Sequence, residues 1–163
     1  MPETPAPTPL ALALGRIPTG LYVVSTLAGD GVRPLGFVGS FVMQHGFEPP
    51  TLSVAVGKGR DHLSAMRDSG RFALSILDAA GSGAMGAFFK KYQGTETAFD
   101  HVEYTRTPGG LAVLTSALAW LECRVTGEHE AGDHVVVFGT ATAGSLSREG
   151  DPSVHLRKDG LRY

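Results

Sequence analysis

An antiparallel β barrel with a few short helices is the fold class the sequence predicts, and three observations predict it. The clearest is the stretch LAWLECRVTGEHEAGDHVVVFGTATAG. Its first half alternates with period two: Ala119, Leu121, Cys123 and Val125 fall on one face, Trp120, Glu122, Arg124 and Thr126 on the other. EAGD then turns the chain and HVVVFGTATAG returns as a partner strand. The second observation is that LYVVSTL, TLSVAVG and RFALSIL are short, β-branched and bounded by turn residues. The third is that the helical stretches between them are brief connectors, so the order is not βαβ and the strands must pack antiparallel.

In chain order, the proline-rich MPETPAPTP has little to bury and is expected to be an extended or disordered leader over residues 1–9, with a folded domain over 10–163. LALALGRIPTG fits a short helix that ends before Pro18, because the residue before a proline disfavours helix. Leu21–Leu27 is a strand and AGDG a turn. LGFVGSFVMQHGF is again β-like, but Gly36, Gly39 and Gly46 interrupt it, and glycine within a strand marks a bulge or a close approach to the backbone. Thr51–Gly57 is a core strand, RDHLSAMRDSG a brief helix closed by Gly70, and Arg71–Leu77 another strand. Residues 83–92 are expected to be helical and residues 94–110 a long loop. The tail DPSVHLRKDGLRY offers one short strand at most.

The 163 residues suffice for one domain with a substantial core. Hydrophobic residues make up 42% and charged residues 18%, which argues for a folded chain and against disorder. A formal net charge of −2 gives no basic surface for nucleic acid or anionic membrane. Cys123 is the lone cysteine, so no intramolecular disulfide can form, as suits a reducing compartment. No basic start leads into an apolar signal core and no apolar run is long enough to span a bilayer. A soluble, cytoplasmic protein is the expectation.

Gly81-Ser82-Gly83-Ala84-Met85-Gly86 satisfies the dinucleotide pattern G-x-G-x-x-G, after a strand and before a helix. That fingerprint needs a parallel βαβ context with an acidic ribose partner, and the second half of this chain is a hairpin. The run is read as a flexible helix entry. There is no G-x-S-x-G elbow and no H-E-x-x-H, and the six histidines are scattered rather than spaced as metal ligands.

GSFVMQHGFEPPTLSVAVGKGR, Gly39–Arg60, carries the strongest ligand signal. Gly39, Ser40 and Gln44 offer small or polar positions where a flat polar heterocycle can approach the backbone. Pro49-Pro50 ends the first stretch, since proline cannot donate to a ladder. The next strand exits at Lys58, Arg60 and His62, beside the positive end of the helix beginning near Asp61, which together make a phosphate pocket. A solvated basic turn is the alternative reading of the same residues.

With these stretches in order, the chain resembles the flavin reductase–like family of FMN-binding split barrels. The carriers are GRIPTGLYVVST, GFVGSFVMQHGFEPPTLSVAVGKGRDHL, FALSIL, GAFFKKY, LAWLECRV, AGDHVVVFGTATAG and VHLRKDGLRY, spread over nearly all of the chain from Leu14 to Tyr163. The resemblance implies a Greek-key split barrel, a homodimer, and FMN near the subunit interface. It places the flavin ring along Val38, Gly39, Ser40, Phe41, Val42 and Gln44. The following strand matches from Val54 to Gly57 and contributes Val56 and Gly57. The phosphate falls to Lys58, Arg60 and His62, where the family's hydroxyl residues are replaced, so binding rests on charge. Phe88, Phe89 and Lys90 match a segment that reaches the flavin, with core packing as the other reading of the two phenylalanines. Asp133 and His134 match a hairpin-fixing pair. His155, with Arg157 and Tyr163, matches a region on the nicotinamide side, His155 being the catalytic candidate. The implied activity is NAD(P)H-dependent flavin reduction, using NADH or NADPH and passing electrons to a free flavin, a quinone or a partner oxygenase. The alternative is a non-catalytic FMN-binding electron carrier or flavin store.

Overall fold

The structure, a computed structural model, describes residues 6–161. Nine strands are present: β1 (Tyr22–Leu27), β2 (Pro34–Gly39), β3 (Val42–Phe47), β4 (Pro50–Gly57), β5 (Arg71–Ile76), β6 (Tyr104–Arg106), β7 (Ala112–Leu114), β8 (Ala119–Ala131) and β9 (His134–Leu146). Three α-helices join them: α1 (Pro9–Leu14), α2 (Asp61–Ser69) and α3 (Met85–Phe88). Seven strands form one sheet in the order β2-β1-β5-β8-β9-β4-β3, with every neighbouring pair antiparallel, while β6 and β7 form a separate hairpin.

The sheet curls on itself. Phe37 of β2 and Val42 of β3 lie at opposite ends of the strand order, yet both pack on the same core cluster with Val24, Val54, Phe72, Leu74 and Val137. The barrel remains split because β2 and β3 do not pair; only Ser40-Phe41 passes between these two open edges. The Phe41 carbonyl accepts the Ala55 amide at 2.9 Å, which ties the crossing to β4.

Alternation explains the layers. On β1, Val24 enters the barrel interior, whereas Val23 points outward into a second cluster with Leu77, Phe99 and Leu114. On β8, Leu121, Cys123 and Val125 join the barrel interior, while Trp120 packs outside against Leu27, Ala73, Leu111 and Val113. The predicted opposition of Trp120 and Leu121 is what the structure shows. Register slips at Thr142 of β9 and Thr126 of β8 bend the long hairpin. Glu122, on the outer face, is buried and accepts the Gly109 amide at 2.9 Å. A Cβ at Gly109 would meet that carboxylate, which would have to move and give up its bond to the amide.

Several expectations need correction. LGFVGSFVMQHGF is not one β stretch: it breaks at Ser40-Phe41, and its halves become opposite edges of the sheet. Helix over 83–92 stops at Phe88, because the glycines of the run that precedes it support only a 3-10 turn over Gly81–Ala84 and one short α-turn. Residues 94–110 are more than loop; they contain a 3-10 turn capped by Thr97 and Asp100, followed by β6. The tail keeps to the expected limit of one short strand, contributing a single bridge from Thr19 to His155 among the described residues. β1, the strand of LYVVSTL, is an interior strand buried on both faces. Exposed apolar side chains lie instead on the edge strand β3, at Met43 and Phe47. Of the predicted leader, residues 1–5 lie outside the described residues, and Pro9 opens α1 behind its Thr8 cap. Among the described residues no helix is long and apolar enough to cross a membrane.

Candidate functional site

The crossing at Ser40 is the meeting point of three cavities. The first, about 410 Å³, lies between the end of β2, the end of β4, the start of α2 and the residues after α3; Val38, Gly39, Ser40, Phe41, Gly57, Arg60, Phe88 and Phe89 line it. Eight of the sequence-predicted residues are thus brought together. Phe37, Ala55, Lys91 and His134 complete the wall. The second cavity, about 840 Å³, places Val38, Gly39 and Ser40 opposite the tail residues His155–Asp159, with Met85 and Phe89 between them. The third, about 700 Å³, runs from Ser40 and Phe41 past Val42 and Met43 to Tyr22 and Val154.

Ser40 is only 4% exposed, yet its Oγ has no hydrogen-bond partner. A buried hydroxyl left unpaired costs about 1–3 kcal/mol, so its presence where three cavities meet points to a ligand that satisfies it. Arg60 precedes α2 as its N-cap residue without capping it by its side chain, and its Nε lies over Gly57. It makes no ion pair among the described residues. An unpaired guanidinium beside helix amides that no side chain caps could hold an anion in a cavity that is otherwise largely apolar. His134 lines this cavity: its ring meets Phe41 edge-on at 5.8 Å and its Nδ1 pairs with Asp133 Oδ1 at 2.7 Å. Arg157 stands over the Phe41 ring, its Cζ 4.7 Å from the centroid.

Other predicted residues lie elsewhere. Lys58 is held by Glu130 at 2.9 Å, outside the cavity. His62 donates from Nε2 to the Gly36 carbonyl at 3.0 Å and faces a separate polar cavity. Burial pushes its pKa down, so it carries no charge for a phosphate at neutral pH. Val56 is enclosed in the barrel interior. Gln44 is exposed on β3 and donates to the Gly46 carbonyl. Lys90 is exposed, while its neighbour Lys91 reaches the cavity wall. His155 lines the wide cavity, where Arg157 joins it; Tyr163 lies outside the described residues. No group of three or more metal-ligating side chains exists among the described residues.

Sequence reasoning overlooked Phe37 as a wall residue, covered Ala55 only within the matched strand Val54–Gly57 without singling it out, and assigned His134 only to the hairpin. Strand pairing places them: Ala55 sits two residues before Gly57 on the same face of β4, and His134 pairs with Gly57 across β9. Lys91 and not Lys90 lines the cavity, in the stretch that follows the end of α3 at Phe88.

The residues fit a flavin. A flat ring with a polar edge matches the apolar walls and the unpaired Ser40 Oγ, and a phosphate matches Arg60 and Lys91. Comparison with known proteins points the same way. The chain is 36% identical over 156 residues to Diflavin flavoprotein A 1 of Synechocystis sp., a match covering 94% of this chain and 27% of that protein. It spans about a quarter of the length of the curated relatives it matches. Among solved structures, the styrene monooxygenase flavin reductase of Pseudomonas putida S12 superposes with a TM-score of 0.77 at 26% identity, covering 96% of this chain and 95% of that one. Nitrilotriacetate monooxygenase component B from Mycobacterium thermoresistibile gives 0.80 at 25% identity, covering 90% and 80%. The NADH:FAD oxidoreductase of Streptomyces globisporus shares the fold, with a TM-score of 0.82 at 24% identity over 96% and 93% of the two chains. The flavin reductase like domain model matches residues 14–161, and the chain belongs to that family.

Proposed function

We propose that this chain is an NAD(P)H-dependent flavin reductase that seats FMN in the split of its barrel. The observation that carries the reading is the buried, unpartnered Ser40 Oγ at the junction of the three cavities. Val38–Phe41 would border the ring, with Ser40 Oγ hydrogen-bonding its polar edge. Arg60 and Lys91 would hold the 5′-phosphate, and Phe88 and Phe89 would cover the ring and exclude water. The bound flavin would supply the redox chemistry, taking hydride at N5 as the reduced nicotinamide is oxidised. The wide cavity on the other side of Ser40 gives the nicotinamide a place to stack, walled by Met85 and His155. No acid or base in the protein is needed for hydride transfer, because the nicotinamide and the flavin exchange the hydride between themselves.

The similarity to reductase components of monooxygenases supports a partner oxygenase as acceptor; a free flavin or a quinone is the other acceptor this reading allows. A homodimer belongs to the same reading: Met43 and Phe47 stand exposed on the unpaired edge of β3, 63% and 89% accessible. We place the reaction in the cytoplasm, which suits the one buried thiol.

The test is spectroscopic. The purified chain, given FMN and gel-filtered, should be yellow, and NADH or NADPH added without oxygen should bleach it. A yellow protein that neither nucleotide bleaches is a carrier or store. A chain that retains no flavin and does not oxidise NADH in the presence of free FMN contradicts the proposal.

A further inference from the structure

Three cavities meet at Ser40, and the reading above uses two of them. The third, of about 700 Å³, adjoins the flavin cavity along Ser40, Phe41 and Ala55, and the nicotinamide cavity along Ser40 and Arg157. Ser53 and Ala55 line it, while Leu52, Val54 and Val56 of the same strand turn into the barrel interior, so it lies against the outer face of β4. Ile17, Val42, Val136 and Val154 make much of its wall apolar. Among the described residues no carboxylate and no lysine lines it. A free flavin, with its ribityl chain and phosphate, needs polar partners along its length and is poorly matched here. The wall suits an apolar ring that carries hydrogen-bond acceptors.

The groups that interrupt this apolar wall are donors. Arg157 makes no ion pair among the described residues; its Nε is buried without a partner, and its Nη1 reaches only the Gly160 carbonyl, at 3.4 Å. Most of its five N–H donors are therefore unspent. The Tyr22 phenol has no hydrogen-bond partner among the described residues. Burial pushes its pKa up, so it stays protonated and donates. Glycine at position 20 leaves the phenol oxygen room, since a Cβ there would meet it. Four residues beyond Phe41, His45 is the extra residue of a bulge between the Gln44–Leu52 and Gly46–Thr51 pairs, and its Nε2 lies 2.6 Å from Ser53 Oγ. A neutral imidazole and a hydroxyl carry one donor each. Their mutual bond uses one and leaves the other for a ligand.

We propose that this third cavity is the electron-acceptor site and takes a para-quinone, one carbonyl oxygen accepting from Arg157 and Tyr22 and the other from the His45–Ser53 pair. Two electrons and a proton leave the reduced nicotinamide as hydride. The quinone takes them up with one further proton from water, and both of its carbonyls become hydroxyls; no bond to the protein forms. The inference rests on the reductase reading and names its acceptor.

Calorimetric titration of 2,3,5,6-tetramethyl-1,4-benzoquinone into the flavin-free full chain tests it; full substitution keeps this quinone from adding to thiols. It should bind saturably, one per chain. Tyr22→Phe, which keeps the ring and removes the donor, should weaken it about two- to twelvefold. Val154→Trp, at a position 71% exposed in the tail wall, should fill the cavity and abolish quinone binding while FMN binds as before. Without oxygen, the FMN-loaded chain should oxidise one NADH or NADPH per quinone reduced. Absence of saturable binding, binding left unchanged by Val154→Trp or by Tyr22→Phe, or a bound quinone that is not reduced overturns the acceptor site. The reductase reading stands in each case if the chain retains FMN that NADH or NADPH bleaches. A chain that binds neither quinone nor FMN overturns both.

Discussion

Arg148 Nη2 lies 2.6 Å from both carboxylate oxygens of Asp78, and Asp78 Oδ1 also accepts the Gly81 amide at 2.7 Å. One carboxylate therefore joins the tail that follows β9 to the turn that leads into α3. These segments form facing walls of the cavity of about 840 Å³, where Met85 and Phe89 look across at His155 and Arg157. Arg148 Nη1 adds bonds to the carbonyls of Ser116 and Ala117, each 3.0 Å, so the joint is anchored to the body of the fold.

Asp78→Asn should lower stability at neutral pH, read as a lower urea midpoint. The Gly81 amide and the Arg148 guanidinium hold the Asp78 carboxyl below the usual carboxylate range. A depressed folded pKa contributes stability that is complete above the unfolded value, about 3.9, and is lost as pH falls through the folded value. The gap between wild type and variant should hold from neutral pH to about pH 5 and close on further acidification. A gap that stays constant into strong acid would show that the charge on Asp78 is not its source.

Ser40→Ala should separate stability from binding. Removing a buried hydroxyl that has no partner relieves a desolvation cost, so the flavin-free chain should unfold at the same denaturant concentration or a higher one. Flavin affinity should fall about two- to twelvefold, the loss of one hydrogen bond of about 0.5–1.5 kcal/mol. A destabilised flavin-free variant would mean that the protein itself satisfies Ser40 Oγ.

Cys123 should be inert in the native state. It is fully buried in the barrel interior, and burial pushes its thiol pKa up to about 12. At pH 8 almost none is thiolate, the reactive form. A chromogenic disulfide reagent should modify it only at the rate of unfolding, and rapidly in denaturant. Prompt stoichiometric reaction under native conditions would contradict the packing of β8 against β5.

The hairpin was legible because β8 is half buried on each face: Leu121 and Cys123 meet one cluster and Trp120 another, which leaves a period of two in the residue types. The ends of α2 were legible from Asp61 and from Gly70, whose φ of 64° suits only glycine comfortably. The break at Ser40-Phe41 was not, because β-prone residues continue across it and only pairing with distant strands decides where each half goes. In the site, Arg60 could be read from charge next to a helix start. Lys58 could not be excluded in the same way, since its partner Glu130 is 72 positions away, on the far end of β8. His62 looked like a third cation, but its burial and its bond to Gly36 depend on how α2 sits over β2.

The central claim is that the split of the barrel holds a flavin with its phosphate at Arg60. Arg60→Ala measures it most directly, with FMN and riboflavin titrated side by side into the wild-type and variant chains. Arg60 is exposed and makes no ion pair among the described residues, so its removal should not disturb the fold. Loss of a charge-assisted bond, about 1.5–3 kcal/mol, should weaken FMN roughly ten- to hundredfold. Riboflavin, which has no phosphate, should bind both chains equally. Equal weakening of the two ligands, or no change in either, would contradict the account.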